Sequence, residues 1–348
     1  MGGVWQVGVN ATWPPFRALP AYLGGKRRLV RPLFGLLAEA LPKDDWRGLT
    51  FIDPFLGGGS VSLFAKGRGF RVVCNDLAQR SAVVGRALIA NSSTLLALPD
   101  IATLLCQPQP GYPTLAQERY SPGVFPKGHA KLLDCVLHNV RALDEPKRSL
   151  AQLLAIKWAL RSQPMSMLRG TDARAAADGD YDQVSSRRLG HYMHGNKLLT
   201  GQAWLALSQD VNVRVFPGQG EAFQEDALTF LRHACGDVVY LDPPYAGTTS
   251  YEREYAVLDD LLEGQRRATS AYSRSTTALD ELFVACVHVP VWLISFNNVA
   301  MTLTDLVDQV RRYRRNVHAI EVPYRHLASI ASEAKNAENK EFLILATS

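Results

Sequence analysis

The chain has 348 residues, of which 47% are hydrophobic and 20% charged, a balance that suits a soluble globular protein with one large domain or two modest ones. Thirty-eight Lys and Arg against 33 Asp and Glu leave a net charge of +5, which permits a polyanionic partner without requiring one. No apolar run approaches the ~20 residues of a membrane helix, no basic-then-apolar leader opens the chain, and five scattered cysteines without a CxxC pair argue against disulfides and a zinc site and for a reducing cytoplasm.

Residues 1–20 are rich in Pro and Gly and read as an irregular arm. Leu29, Leu33, Leu36, Leu37 and Leu41 recur at helical spacing and predict a helix within 26–42. "LTFIDPF" (49–55) reads as a buried strand stopped by Pro54, followed by the loop "LGGGS", the helical "SVSLFAKGRG" and a second buried strand, "FRVVCND" (70–76). Strand, glycine loop, helix, strand is a βαβ order, so a parallel sheet and an α/β fold are expected. Residues 77–96 read as helix and 97–130 as loop-rich. "HAKLLDCVLHNVRALD" and "PKRSLAQLLAIKWALRS" read as two helices, the second with Pro146 at its start. The stretch 167–197 is polar and basic, with Tyr181 and Tyr192 interleaved among its cations. Strands are then predicted at 211–216, 237–242, 289–296, 318–324 and 341–347, with helices between them at 277–287 and 302–315. The pattern predicts one α/β sheet domain, residues 1–96 and 206–348, interrupted by a mainly helical and basic insertion over 97–205.

The ends of three predicted strands carry the chemistry. Gly57, Gly58 and Gly59 follow the first strand, where a parallel sheet binds ligands and where glycine allows tight turning and close approach. A tight βα turn alone would also account for them. Asp76 ends the second strand, placed to accept hydrogen bonds from ribose hydroxyls. The loop lacks GxGxxG spacing, and Asp53 would repel a pyrophosphate. A cofactor with a ribose, an ammonium and a sulfonium, S-adenosylmethionine, therefore fits better than a dinucleotide. The third strand ends in "LDPPY". Asp242 and the Pro243 carbonyl offer two acceptors to an exocyclic amino group, and Tyr245 offers a face on which a nucleobase can stack.

This order of motifs resembles the Dam-like (D12) class of DNA adenine-N6 methyltransferases. "AYLGGKRRL" (21–29), "FIDPFLGGGSVSL" (51–63), "CND" (74–76), "LDPPY" (241–245) and "VPYRH…ENKEFLI" (322–344) carry the resemblance, which covers roughly 20–95 and 210–348. It implies a Rossmann-like S-adenosylmethionine-dependent methyltransferase sheet with helices on both faces and an inserted target-recognition region. Residue by residue, it implies cofactor contacts from Tyr22, Gly25, Lys26, Asp53, Pro54, Gly57, Gly59, Asp76 and Asp226, with the Lys26 ammonium at the cofactor's carboxylate and Asp226 at its adenine. Asp242, Pro243, Pro244 and Tyr245 would hold a target adenine flipped out of DNA. No metal is implied. Tyr22 stands where Trp is common, Ala21 where Lys is usual, and Ala227 where an aromatic follows the acid.

Arg side chains read guanine bidentately and also bind phosphates, so Arg169, Arg187, Arg188, His191 and Lys197 are the candidate DNA contacts. The expected partners are DNA and, as in restriction–modification systems, a cognate restriction or defence component. Within enzymes the alternatives are cytosine-N4 or RNA adenine-N6 methylation. Outside them, a catalytically impaired DNA-binding subunit would keep the fold, although the intact Lys26, Asp76 and Asp242 argue against that reading.

Overall fold

A computed structural model describes residues 13–22, 24–42, 46–121, 123–162, 199–244, 250–263, 278–298, 301–323 and 340–348. Seven strands form one sheet in the order β3-β2-β1-β4-β5-β7-β6. They are β1 (Thr50–Asp53), β2 (Arg71–Asn75), β3 (Gly220–Phe223), β4 (Val238–Leu241), β5 (Val291–Asn297), β6 (Asn316–Pro323) and β7 (Lys340–Thr347). All neighbouring pairs from β3 to β5 are parallel, whereas β7 runs antiparallel to both β5 and β6.

The central strands are apolar on both sides, as strands covered by helices on both faces must be. Their side chains alternate between two cores. Phe51, Val238, Tyr240, Leu293, Leu343 and Leu345 point into the larger one. Ile52, Val239, Leu241, Trp292, Ile294, Phe342 and Ile344 point into the other.

The larger core is closed by α1 (Val30–Ala40), α2 (Ser60–Gly67), α3 (Gln79–Val84, continued by the π-helical Gly85–Ala90), α4 (Leu98–Leu105), α5 (Leu115–Tyr120), α6 (Lys127–Asn139), α7 (Lys147–Ser162), α8 (Gly201–Asn212) and α10 (Ser250–Glu263). On the smaller core lie α9 (Ala227–His233), α11 (Ala278–Ala285) and α12 (Leu303–Arg311). The expected α/β sheet with helices on both faces is thus observed. Helices α4 to α7, within the stretch read as an insertion, bury Leu104, Leu133, Leu154 and Trp158 in the same cluster as Phe51 of β1.

One strand expectation is corrected. Residues 211–216 do not form a strand: α8 runs through Asn212, and the edge strand β3 starts only at Gly220. Thr200 caps α8 by accepting from the Ala203 amide, and Trp204, Leu207 and Val211 share its buried side, so helical spacing overrides the β-branched composition of "VNVRV". At the end of α8 the Asn212 amide exchanges hydrogen bonds with the backbone of Leu96, 3.1 and 2.7 Å.

The strand order reverses between β1 and β4, and the crevice at their carboxyl ends is where such a sheet takes a ligand. Because β7 is antiparallel, its first residues come to this same edge, with Glu341 opposite Asn297 at the end of β5.

Candidate active site

Three acids stand at the crevice because three strands end there. Asp53 closes β1, Asp76 follows β2 and Asp242 follows β4. Asp53 is buried; it accepts from the Ser62 hydroxyl at 2.7 Å and from the Phe55 amide at 3.2 Å. Burial pushes its carboxyl up to about 7, the Ser62 hydrogen bond opposes that rise, and the nearby charges of Asp242 and Asp76 add to it. Asp76 accepts from the amides of Gly57 at 2.8 Å and Ala78 at 2.9 Å, which ties the second strand to the glycine loop. Its carboxyl is also raised, by burial, against the pull of Arg80. Between these strands Asn75 acts as a clasp. Its amide donates to the carbonyls of Pro54 and Glu225 and accepts from the Glu225 amide.

The glycine loop turns through positive φ at Gly57 (53°) and Gly59 (76°). Its glycines serve a neighbour within the chain. A Cβ on Gly58 would stand 2.7 Å from the Tyr22 Cβ, and one on Gly57 3.2 Å from the Tyr22 ring. Tyr22 thus lies directly on the loop, where the sequence suggested close approach of a ligand. The other face of its ring environment is aromatic and cationic. Tyr22 stacks on Tyr255 of α10 with centroids 5.0 Å apart, and the Arg80 guanidinium lies 4.2 Å from the Tyr255 centroid. Arg80 is held there by an ion pair with Asp259, also on α10. Gly25, three residues on, donates its amide to the Tyr22 carbonyl at 3.3 Å.

Lys26 crosses the crevice. Its ammonium is buried and lies 3.0 Å from an Asp242 oxygen and 2.8 Å from a Glu341 oxygen. Burial raises the Asp242 carboxyl; Lys26 opposes the rise, Glu341 reinforces it, and a hydrogen bond from Ser295 of β5 opposes it. The Ser295 hydroxyl in turn meets the Tyr240 hydroxyl at 2.7 Å. Pro243 is buried and Pro244 half-buried.

Of the residues predicted from sequence, Tyr22, Gly25, Lys26, Asp53, Pro54, Gly57, Gly59, Asp76, Asp242, Pro243 and Pro244 gather at this edge. Asp226 comes to the end of β3 as the cap of α9, accepting from the amides of Leu228 and Thr229. Tyr245, Arg169, Arg187, Arg188, His191 and Lys197 lie outside the described residues. Ser295, Arg80 and Tyr255 were not singled out by sequence, while Asn75 and Glu341 entered only as parts of the motifs "CND" and "ENKEFLI", with no role of their own.

The acids make the crevice suited to a cation. Asp53, Asp76 and Asp242 all have carboxyls raised by burial, so each favours a positive partner. A ligand with an ammonium and a sulfonium complements this set, and a pyrophosphate opposes it. Among the described residues no group of three or more His, Cys, Asp or Glu is arranged to hold a metal ion, and no helix is long and apolar enough to cross a membrane.

Comparison with known proteins finds similarity to DNA methyltransferases. Residues 22–161 match the family described as D12 class N6 adenine-specific DNA methyltransferase. A type II methyltransferase of Haemophilus parahaemolyticus, M2.HphI, is 28% identical over 93% of this chain and 96% of its own length. The type II methyltransferase M.NlaIII of Neisseria lactamica is 24% identical over 82% of this chain and 86% of its own. The modification methylase LlaI of Lactococcus lactis subsp. lactis is 26% identical over 84% of this chain, which spans 48% of that longer relative.

Proposed function

We propose that this chain, whose residues 22–161 match the D12 class of N6 adenine-specific DNA methyltransferases, is a DNA methyltransferase that transfers a methyl group from S-adenosylmethionine to the exocyclic N6 of adenine in DNA. The observation that carries the reading is the placement of Asp242, paired to Lys26, beside the glycine loop and Asp76 at the point where the strand order reverses.

When bound, S-adenosylmethionine supplies an electrophilic methyl group on a sulfonium. Asp76 would hold its ribose, and Asp53 with the Gly57–Gly59 loop its cationic end, where their buried carboxyls favour positive charge. Tyr22 and Tyr255 supply the aromatic wall, and Asp226 stands on the adenine side at the head of α9. Lys26 acts on Asp242. A contact of its ammonium with the cofactor's carboxylate, which the resemblance implies, would be made beside its two ion pairs.

A base inside a duplex is out of reach, so the adenine must leave the stack at a cost of roughly a few kcal/mol. In this reading Tyr245 stacks on the extruded ring, while Asp242 and the Pro243 carbonyl accept the two N6 hydrogens. That arrangement aims the nitrogen lone pair at the methyl group. Catalysis is then orientation and electrostatics, with no covalent bond to the protein. The basic stretch that contains Arg169, Arg187, Arg188, His191 and Lys197 supplies the DNA contacts, within a target-recognition region over 97–205. A cognate restriction component and a cytoplasmic setting go with the type II relatives and with five free cysteines.

Asp242→Ala tests the reading. With methyl-labelled S-adenosylmethionine and DNA, the wild-type chain is expected to deposit N6-methyladenine at a defined sequence, and Asp242→Ala to lose at least a hundredfold in rate, within the roughly 10²–10⁴ that one positioned polar group contributes. Transfer at near wild-type rate would overturn the assignment.

A further inference from the structure

Glu341 has no role in the reading above, yet it is among the most completely buried charged residues of the protein. It sits near the start of β7, between Asn297 of β5 and Val322 of β6, at the head of an otherwise apolar strand. A carboxylate taken out of water there costs several kcal/mol unless it is paired. Its partner is Lys26 at 2.8 Å, the same ammonium that lies 3.0 Å from Asp242. The site therefore holds two carboxylates on one buried cation.

That count has a chemical consequence. A single Lys–Asp pair would neutralise Asp242 and blunt it as an acceptor. A second acid on the far side of the ammonium shares the cation, so Asp242 is oriented by Lys26 while keeping its affinity for a proton. The other groups that face Asp242 agree with this division. They are Tyr240 of its own strand, Asp53 of β1, and Ser295 of β5, which donates a hydrogen bond to it. Among these described neighbours Lys26 is the cation.

We propose that Glu341 is a positioning residue for methyl transfer: from β7 it draws the Lys26 ammonium so that this cation orients Asp242 without quenching it, and Asp242 takes the proton that the substrate amino nitrogen gives up. The proposal rests on the methyltransferase reading of the same site. The step balances. The amino nitrogen forms its bond to the methyl carbon as the carbon–sulfur bond breaks, and the electron pair of that bond stays on sulfur. The nitrogen, now bearing one proton too many, passes it to an Asp242 oxygen and thence to water. No oxidant or reductant enters.

Glu341→Gln keeps the shape and removes the charge. Lys26 then belongs to Asp242 alone, which becomes a weaker proton acceptor. In single-turnover methyl transfer the acid limb of the pH–rate profile is expected to move to lower pH, and the plateau rate to fall about tenfold, with little change in the apparent Kd for DNA. A purely structural Glu341 would lower stability and leave the limb in place. In parallel, the titration of Asp242 is followed by carbon-13 NMR of labelled Asp carboxyls, with the resonance assigned by its loss in Asp242→Asn. Its midpoint is expected to move down in Glu341→Gln.

This second readout needs no catalysis, so the two readings fail separately. A wild-type chain that does not methylate DNA sinks the function; an Asp242 midpoint and a pH limb that both stay put in Glu341→Gln sink the role of Glu341. Should Glu341→Gln fail to fold, Glu341→Asp retains the charge but withdraws it by one methylene. It is expected to give a smaller displacement in the same direction, and no displacement overturns the proposal.

Discussion

Two lysines are buried to nearly the same degree, Lys26 at 5% exposure and Lys157 at 4%, and they flank the same short length of chain, yet they are held in opposite ways. Lys26 meets two carboxylates, Asp242 and Glu341. Lys157, on α7, hydrogen-bonds to carbonyls, donating to those of Arg17 at 2.6 Å, Ala18 at 2.9 Å and Leu19 at 3.4 Å, with the charges of Arg161 and Asp210 acting on it from further off. Those three residues end the first helical turn of the arm, and Arg27 closes the same bend with bonds to Leu19 and Pro20. A buried cation among formal charges can alter proton affinities and so take part in chemistry. One among carbonyls can only fix backbone. The arm that presents Tyr22 and Lys26 is therefore anchored at one end by structure and at the other by the active site.

The strongest way to break this contrast is to remove both ammonium groups in turn. Lys26→Met leaves Asp242 and Glu341 facing each other without their shared cation. Methyl transfer per folded molecule is expected to fall more than a hundredfold, because the acceptor loses its orientation. Stability is expected to fall by about 3–5 kcal/mol, the usual cost of breaking a buried pair from one side. Single-turnover assays alongside denaturant unfolding separate the two effects, and a rate within severalfold of wild type would show that the cation merely fills space.

Next in size is Lys157→Met. Its carbonyl partners lose a donor, which is expected to cost about 1–3 kcal/mol of stability, while the methyl-transfer rate of the folded fraction stays within about twofold. A large loss of rate in a fully folded variant would mean that the arm is positioned from α7 and that the two lysines form one system.

Which of these roles could be read in advance depended on distance along the chain. The glycine loop and its acids were legible because each follows its own apolar strand: Asp53 and Gly57 after "TFID", Asp76 after "RVVCN", Asp242 after "VVYL". Those runs are buried on both faces and leave little ambiguity. The edge strand β3 was missed because Gly220-Glu221-Ala222-Phe223 is short and only half covered, while the β-branched residues just before it were claimed by the end of a capped helix. Glu341 could be seen as an odd acid in an apolar strand, but its meaning depends on β7 running antiparallel beside β5 and so opening at the active edge. Local periodicity carries no information about that register. The same holds for Gly58, where the sequence suggests room for a ligand and the fold supplies the ring of Tyr22.

The smallest expected effect sets the arm's structural anchor, Lys157, against a buried acid of the crevice, Asp53, since the two respond to pH with opposite sign. Burial holds the Lys157 ammonium down at about 7, below its ordinary 10.5. Across that window the unfolded chain binds more protons than the folded one, so the contribution of Lys157 is fully present at the top of the window and is lost as pH falls toward 7. Burial raises Asp53 from 3.8 to about 7, so across its own window the folded chain binds the extra proton. Its contribution is present at the acid end and is lost as pH rises toward 7. In urea unfolding, the stability of wild type relative to Lys157→Met is expected to grow between pH 7 and pH 9. Relative to Asp53→Asn, wild type is expected to lose ground between pH 5 and pH 7. If the difference to Lys157→Met were flat, the carbonyl cage would be holding an ammonium whose charge costs nothing. The arm would then be pinned at Lys157 by a permanent cation.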